Sequence, residues 1–287
     1  MPSLIDIRRR IRSVKNTQQI TKAMKMVATA RLRRAQERVI NSRPYSRMAA
    51  EMLQNVAAAA ADDERASEHP LLAQRPEQKI QLILVTSDRG LAGAFNASLI
   101  KAAQQFLIDH AGQQVEIELY GRKGRDFFMR RNVATSGEVT GISQNAGLVH
   151  AQPLAKKMIE RFTNGEVDSV YLIYNEFKSV LTQNLTVKKI LPIAVAADGA
   201  PARDYIFEQP AAEMLGRMLP SYVLQQLLES FLESAAAEHA ARMTAMDAAS
   251  TNANEVINKL TLYMNRVRQA SITREIIEVV SGASALQ

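Results

Sequence analysis

From Ser221 to Ser281 the chain runs for 61 residues without a glycine or a proline. Within that run Met243, Met246, Ser250, Ala253, Ile257, Leu260, Met264 and Val267 follow one another in alternating steps of 3 and 4. That is the period of a coiled-coil seam. As a helix rising ~1.5 Å per residue, the run is about 90 Å long. A compact chain of 287 residues has a radius of gyration near ~19 Å and a diameter of roughly 50 Å. A straight helix of this kind is therefore expected to stand out beyond its own domain by some tens of ångströms.

The amino terminus offers a partner for it. Ser3 to Arg43 also lacks glycine and proline, and Leu4, Ile7, Ile11 and Val14 are spaced 3, 4, 3. Gln18 and Thr21 then take seam positions, and an apolar series at Ile20, Met24, Val27, Leu32, Ala35 and Val39 reads as a shifted register. A shift of this kind predicts local unwinding of the coiled coil. Pro44 is expected to kink or stop the helix, with residues 48–57 continuing it. The two terminal segments are expected to pair as an antiparallel coiled coil.

Between them the pattern changes. Residues 79–85, 114–120, 169–174 and 185–191 are short, apolar and rich in β-branched residues, which predicts strands. Residues 97–110, 123–131 and 146–162 alternate with them as helices. Strands alternating with helices imply an open α/β layer structure, with the last two strands forming an antiparallel pair at its edge. The expected organisation is a helix over 1–60, a linker over 61–78, a Rossmann-like α/β domain over 79–196, a linker over 197–220 and a second long helix over 221–287. The fold class is α/β plus a long antiparallel coiled coil, with the α/β domain inserted between the two long helices.

Composition narrows the chemistry. The sequence has no cysteine, which removes disulfides, thiolate metal sites and cysteine nucleophiles. His69, His110, His150 and His239 fall in separate segments, and no spacing resembles a metal site. Thr86 to Phe95 links a strand to a helix, where phosphate loops sit. Its glycines, Gly90 and Gly93, fit neither phosphate-binding signature, so a tight turn is expected, with Asp88 and Arg89 pairing or capping the next helix. Gly121-Arg-Lys-Gly124 reads as a turn on the same grounds. Glu116 and Glu118 share one face of a strand and are expected to be solvated. No catalytic residue, cofactor site or metal site is predicted. No apolar run is long enough to span a membrane, and no signal peptide is read at the amino terminus.

Charge is concentrated at one end. Residues 1–50 hold 13 Lys and Arg against Asp6 and Glu37 alone, a balance of +11 in a chain of net charge +7. Residues 221–281, with 7 acids and 5 bases, do not neutralise it. Nucleic acid, an anionic membrane surface and an acidic protein surface are rival partners for such a strip. Residues 1–44 contain no aromatic residue to stack on a base, which favours the protein surface. The carboxyl end poses a related problem. Past Val267 the seam positions become Ser271, Arg274 and Glu278, while Ile272, Ile276, Ile277, Val279, Val280, Ala283, Ala285 and Leu286 lie around the helix. A helix apolar nearly all round is expected to be buried, either by another molecule or by folding back on the α/β core.

Several motifs resemble those of one family. Ile20-Thr-Lys-Ala-Met-Lys-Met-Val27, Ser87-Asp-Arg-Gly-Leu-Ala-Gly93 with Phe95-Asn96, Ala241-Arg-Met-Thr-Ala-Met246, Arg268-Gln-Ala-Ser-Ile-Thr273, Glu275 and Val280-Ser-Gly-Ala283 are similar to the gamma subunit of rotary ATP synthases. The resemblance spans the chain, with Ala92 where many members carry Cys and Met264 where Tyr is usual. It implies a non-catalytic central shaft that couples rotation of a membrane ring of c subunits to conformational change in the beta subunits. It implies contacts with the hexamer of alpha and beta subunits through Met24, Lys25, Arg242, Arg268, Gln269, Thr273, Glu275, Ile276, Val279 and Val280. It further implies binding to the epsilon subunit and the c ring, and a peripheral place on the cytoplasmic face of a bacterial inner membrane. No nucleic acid, cofactor or membrane span belongs to this reading.

Overall fold

The computed structural model describes residues 3–60, 69–131, 133–142, 146–194 and 209–284, with side chains described as far as Ser281. The chain divides into two compact units. Two long helices contribute to both: α1, Leu4–Ala59, and α5, Ala211–Ser284. The smaller unit comprises Met1–Ala28 and Met243–Gln287, and the larger Thr29–Arg242.

In the smaller unit Ser3 opens α1, accepting the amide of Asp6 on both its side-chain oxygen (3.3 Å) and its carbonyl (3.0 Å). Ile7, Thr21 and Ala28 on α1 and Met246, Ser250, Ala253 and Ile257 on α5 are buried. Their spacing is the 3–4 rhythm of a seam. The expected register shift does not occur. Ile20, Met26 and Val27 are exposed, and the polar residues Gln18, Thr21 and Lys25 hold the inward positions instead. Each finds a partner across the seam, which is why the register survives the loss of apolar side chains. The Thr21 and Ser250 hydroxyls lie 2.9 Å apart, Gln18 Nε2 donates to the Ser250 carbonyl at 3.4 Å, and Lys25 Nζ donates to Asp247 Oδ1 at 2.6 Å. Rising numbers on α1 meet falling numbers on α5, so the pairing is antiparallel.

The larger unit holds a five-stranded sheet in the order β3-β2-β1-β4-β5. Its strands are β1 Lys79–Val85, β2 Gln114–Tyr120, β3 Thr135–Val139, β4 Ser169–Phe177 and β5 Gln183–Leu191. The first four are parallel, and β5 pairs antiparallel with β4 at the edge. Helices α2 (Phe95–Asp109), α3 (Arg122–Met129) and α4 (Leu148–Thr163) form the crossovers. Strand β3, not expected from the sequence, carries Gly137 and only one β-branched pair of residues at its ends. Its place beside β2 comes from the parallel ladder rather than from its own propensity. Central β1 is apolar from Ile80 to Val85 except for Gln81, as a strand covered on both faces must be.

The ladder register aligns Gln81 with Glu116 of β2 and with Val170 of β4. Alternation then sets Gln81, Glu116, Glu118, Tyr120, Val170, Leu172 and Tyr174 on one face. Helix α4 covers the lower part of that face. Glu118 is therefore buried, not solvated, and accepts from Lys157 at 2.8 Å and from Gln81 at 3.0 Å. Glu116 accepts from Arg161 at 2.9 Å. Lys157 and Arg161 stand one helical turn apart, so α4 delivers a cation to each carboxylate.

Helix α5 covers the upper part of the same face. Phe231 packs on Tyr120, ring centroids 5.0 Å apart, and every residue from Phe231 to Ala240 is buried. Leu215, Leu219, Val223 and Leu227 lead into this stretch at helical spacing and are likewise buried. They lie in a helix that starts at Ala211 and passes through Pro220, well before the proline-free run begins. Leu32, Val39, Ser46, Leu53 and Val56 form the buried side of α1 in this unit, and Gln225 Nε2 donates to Ser46 Oγ at 2.6 Å. Helix α1 continues through the exposed Pro44 without stopping. Residues 61–68 and 197–208 of the two predicted linkers lie outside the described residues, as do the side chains of Ala283, Ala285 and Leu286.

Candidate partner-binding surface

The turn after β1 is where an open α/β sheet commonly holds a ligand. Here its polar groups are spent inside the chain. Asp88 accepts the amide of Arg122 at 3.2 Å and that of Gly141 at 3.0 Å, so it caps α3 rather than α2. Asn96 Oδ1 accepts the Ser87 amide at 3.0 Å. Gly121 is required at the base of α3. Its φ is +96°, and a Cβ there would stand 2.1 Å from the Thr86 carbonyl oxygen.

Arg242 closes the turn from above. Its guanidinium donates to the carbonyls of Arg89 (3.1 Å) and Gly90 (3.3 Å) and pairs with Glu238 at 2.7 Å. The side chain is 10% exposed and that of Glu238 4%. Arg242 was expected on a surface offered to another chain. The structure instead commits its charge to the loop of its own α/β fold, because α5 lies directly over the carboxyl ends of the strands. No spacing rule links residue 242 to residue 89, so the sequence held no signal of this.

The other expected contact residues are distributed differently. Met24 is half-buried beside the seam, and Lys25 is held by Asp247. Arg268, Gln269, Thr273, Glu275, Ile276, Val279 and Val280 are all exposed on α5. Thr273 Oγ1 donates to the Gln269 carbonyl at 3.0 Å, and Ser271 Oγ to Glu275 at 3.4 Å, both within the helix. Their remaining capacity faces outward. The apolar members are open as well: Ile276 is 58% exposed and Val279 72%. From Ile272 to Ser281 every residue is exposed. On α1, Arg8, Arg9, Arg10, Arg12, Lys15 and Lys22 are also exposed.

These two surfaces, one apolar and one cationic, have the composition of docking sites. Among the described residues no group of three His, Cys, Asp or Glu is arranged to hold a metal ion, and no helix is long and apolar enough to cross a membrane.

Known proteins resemble the chain over its full length. A family model described as ATP synthase matches residues 3–286. The ATP synthase gamma chain of Solibacter usitatus is 60% identical over 287 residues, covering all of both chains. That of Desulfitobacterium hafniense is 47% identical over the whole of both chains. Among solved structures, a chain of the Euglena gracilis mitochondrial ATP synthase assembly of OSCP, F1 and c ring aligns with a TM-score of 0.68 at 18% identity, covering 99% of this chain and 94% of that one. A chain of the Tetrahymena thermophila mitochondrial ATP synthase central stalk and c ring aligns at 0.59 and 22% identity, covering 80% of this chain and 99% of that one. The family model and the two relatives carry the family, and the two solved structures carry the fold. The chain belongs to the gamma-chain family of ATP synthases.

Proposed function

We propose that this chain is the central shaft of a proton-translocating ATP synthase, transmitting torque without performing chemistry itself. The observation that carries the reading is the carboxyl end of α5: a continuous helical stretch, rich in isoleucine and valine and wholly exposed, in a chain of this family. A free apolar helix of that kind is stable in water only as part of something larger.

In the assembly, Ile276, Val279 and Val280 turn within an apolar sleeve of the hexamer of alpha and beta subunits. Met24, Lys25, Arg268, Gln269, Thr273 and Glu275 meet the beta subunits lower on the shaft. The exposed arginines of α1 face acidic loops, an attraction that steers assembly and is screened by salt. The α/β unit binds the epsilon subunit and rests on the c ring, at the cytoplasmic face of the bacterial inner membrane. Arg242 has a different part. Bound to the turn after β1, it fastens α5 to the α/β fold, and its effect on any contact with beta is indirect.

The mechanism follows from asymmetry. Two helices inside a ring of repeated subunits do not touch each catalytic site alike. A contact shifts a conformational equilibrium only by its different free energy in the two states. Each site therefore holds a different conformation, and rotation passes each bias to the next site. Proton flow through the ring turns the shaft in the direction of synthesis, and ATP hydrolysis turns it back.

Replacing Arg268 and Gln269 together by alanine tests the contact assignment. ATP turnover by the reconstituted complex is expected to fall while the isolated chain unfolds as the wild type does. Unchanged turnover rejects their role. Salt-sensitive binding of DNA by the isolated chain, with no assembly onto the hexamer, would favour a basic coiled-coil protein that organises nucleic acid.

A further inference from the structure

A cleft of about 680 Å³ in the larger unit, between α1, the β4–β5 edge and α5, has no part in the contacts above. At its floor lies Glu233 of α5, 5% exposed. Arg43 of α1 donates to Glu233 Oε1 at 3.2 Å and, through the same nitrogen, to the Phe177 carbonyl of β4 at 2.7 Å. A single guanidinium thus ties together the two long helices and the end of a central strand.

The surroundings of Glu233 are mixed in charge. Helix α1 contributes Arg43 and the exposed Arg47, and α5 contributes Glu229, one turn away, and Tyr222. Strand β4 and the residue after it contribute Glu176 and Lys178, with Tyr174 buried alongside. Lys188 of β5 is already bonded to Gln226. Among the described residues the cation bonded to Glu233 is therefore Arg43, and that group is shared with a carbonyl. Burial raises the Glu233 carboxyl from 4.5 to about 7. The Arg43 hydrogen bond opposes the shift, and Glu229 and Glu176 add to it.

We propose that Glu233 is a proton-operated joint: proton uptake by its carboxyl tightens the packing of α1 and α5 against the end of β4, and proton loss loosens it. Ionised, the group places a buried negative charge beside two other carboxylates. Neutral, it still accepts the Arg43 hydrogen bond but no longer repels Glu229 and Glu176. Because the folded chain binds this proton more tightly than the unfolded chain, the stabilisation is complete below 4.5 and is lost as pH rises through about 7. The fastening of the long helices to the sheet then varies with the proton concentration around the larger unit.

The test uses the full chain. Its urea midpoint is measured from about pH 5 to about pH 8, the window in which one shifted carboxyl is linked to folding. The wild type is expected to lose stability across this window, and Glu233→Gln, which keeps the Arg43 hydrogen bond without the charge, to lose much less. Equal losses overturn the proposal. Glu229→Gln removes one repelling carboxylate at a less buried position and is expected to move the Glu233 titration to lower pH, followed by carboxyl ¹³C resonances. A titration midpoint near the ordinary glutamate value in the wild type, or one unmoved by Glu229→Gln, also overturns it.

Discussion

Residues Phe231–Ala240 and Ile272–Ser281 belong to one helix and are equal in length, yet every residue of the first stretch is buried and every residue of the second exposed. Hydrophobicity does not separate them. Phe231, Leu232 and Ala235–Ala237 stand in one, and Ile272, Ile276, Ile277, Val279 and Val280 in the other. The difference is the availability of a cover. The first stretch meets the sheet through Tyr120 and meets α1 through Arg43. The second has no buried residue. Ile272, Ile276, Ile277, Val279 and Val280 make an apolar face opposite Arg274, Glu275 and Glu278, and an exposed apolar face of this kind has the composition of a docking surface.

Substitutions sharpen this contrast, with the largest effects on the free chain expected in its buried part. Phe231→Ala opens a void against Tyr120 in the buried stretch and is expected to cost about 3–5 kcal/mol in urea denaturation. Arg242→Ala removes one side of the buried ion pair with Glu238 and the bonds to the Arg89 and Gly90 carbonyls, and a loss of about 3 kcal/mol is expected. The matching change at exposed Arg268 is expected to alter stability by no more than ~0.5 kcal/mol. Equal losses at the two arginines would break the distinction drawn between them. Ser250→Ala deprives the buried Thr21 hydroxyl of its side-chain partner across the seam, for about 1 kcal/mol. Lys25→Ala removes a largely solvated pair with Asp247, and a double-mutant cycle is expected to return below ~1 kcal/mol.

The same contrast explains what the sequence disclosed. Both long helices, the α/β insertion and its antiparallel edge were readable, because glycine-free runs and the 3–4 period are local signals. The carboxyl-terminal seam from Met243 to Val267 was legible residue by residue. The α1 seam was misread between Gln18 and Ala28, where apolar Ile20 and Val27 suggested a slip. Spacing alone continued through Gln18, Thr21 and Lys25, but it is partners across the seam, Ser250, Asn254 and Asp247, that make those polar residues acceptable there. Strand β3 and the burial of Glu118 were hidden for a related reason: each depends on a neighbour distant in sequence, β2 in one case and Lys157 in the other. The exposed end of α5 was anticipated from its composition. The enclosure of Arg242 was not, since it depends on where α5 crosses the turn after β1.

The central claim is that the apolar end of α5 is sheathed by the hexamer in the assembled enzyme. The natural chain has no cysteine, so Val280→Cys introduces a single thiol into the exposed stretch. Its alkylation rate by a maleimide is compared in the free chain and in the reconstituted complex. Rapid labelling when free and strong protection in the complex is the predicted result. Equal labelling in both states would contradict the account.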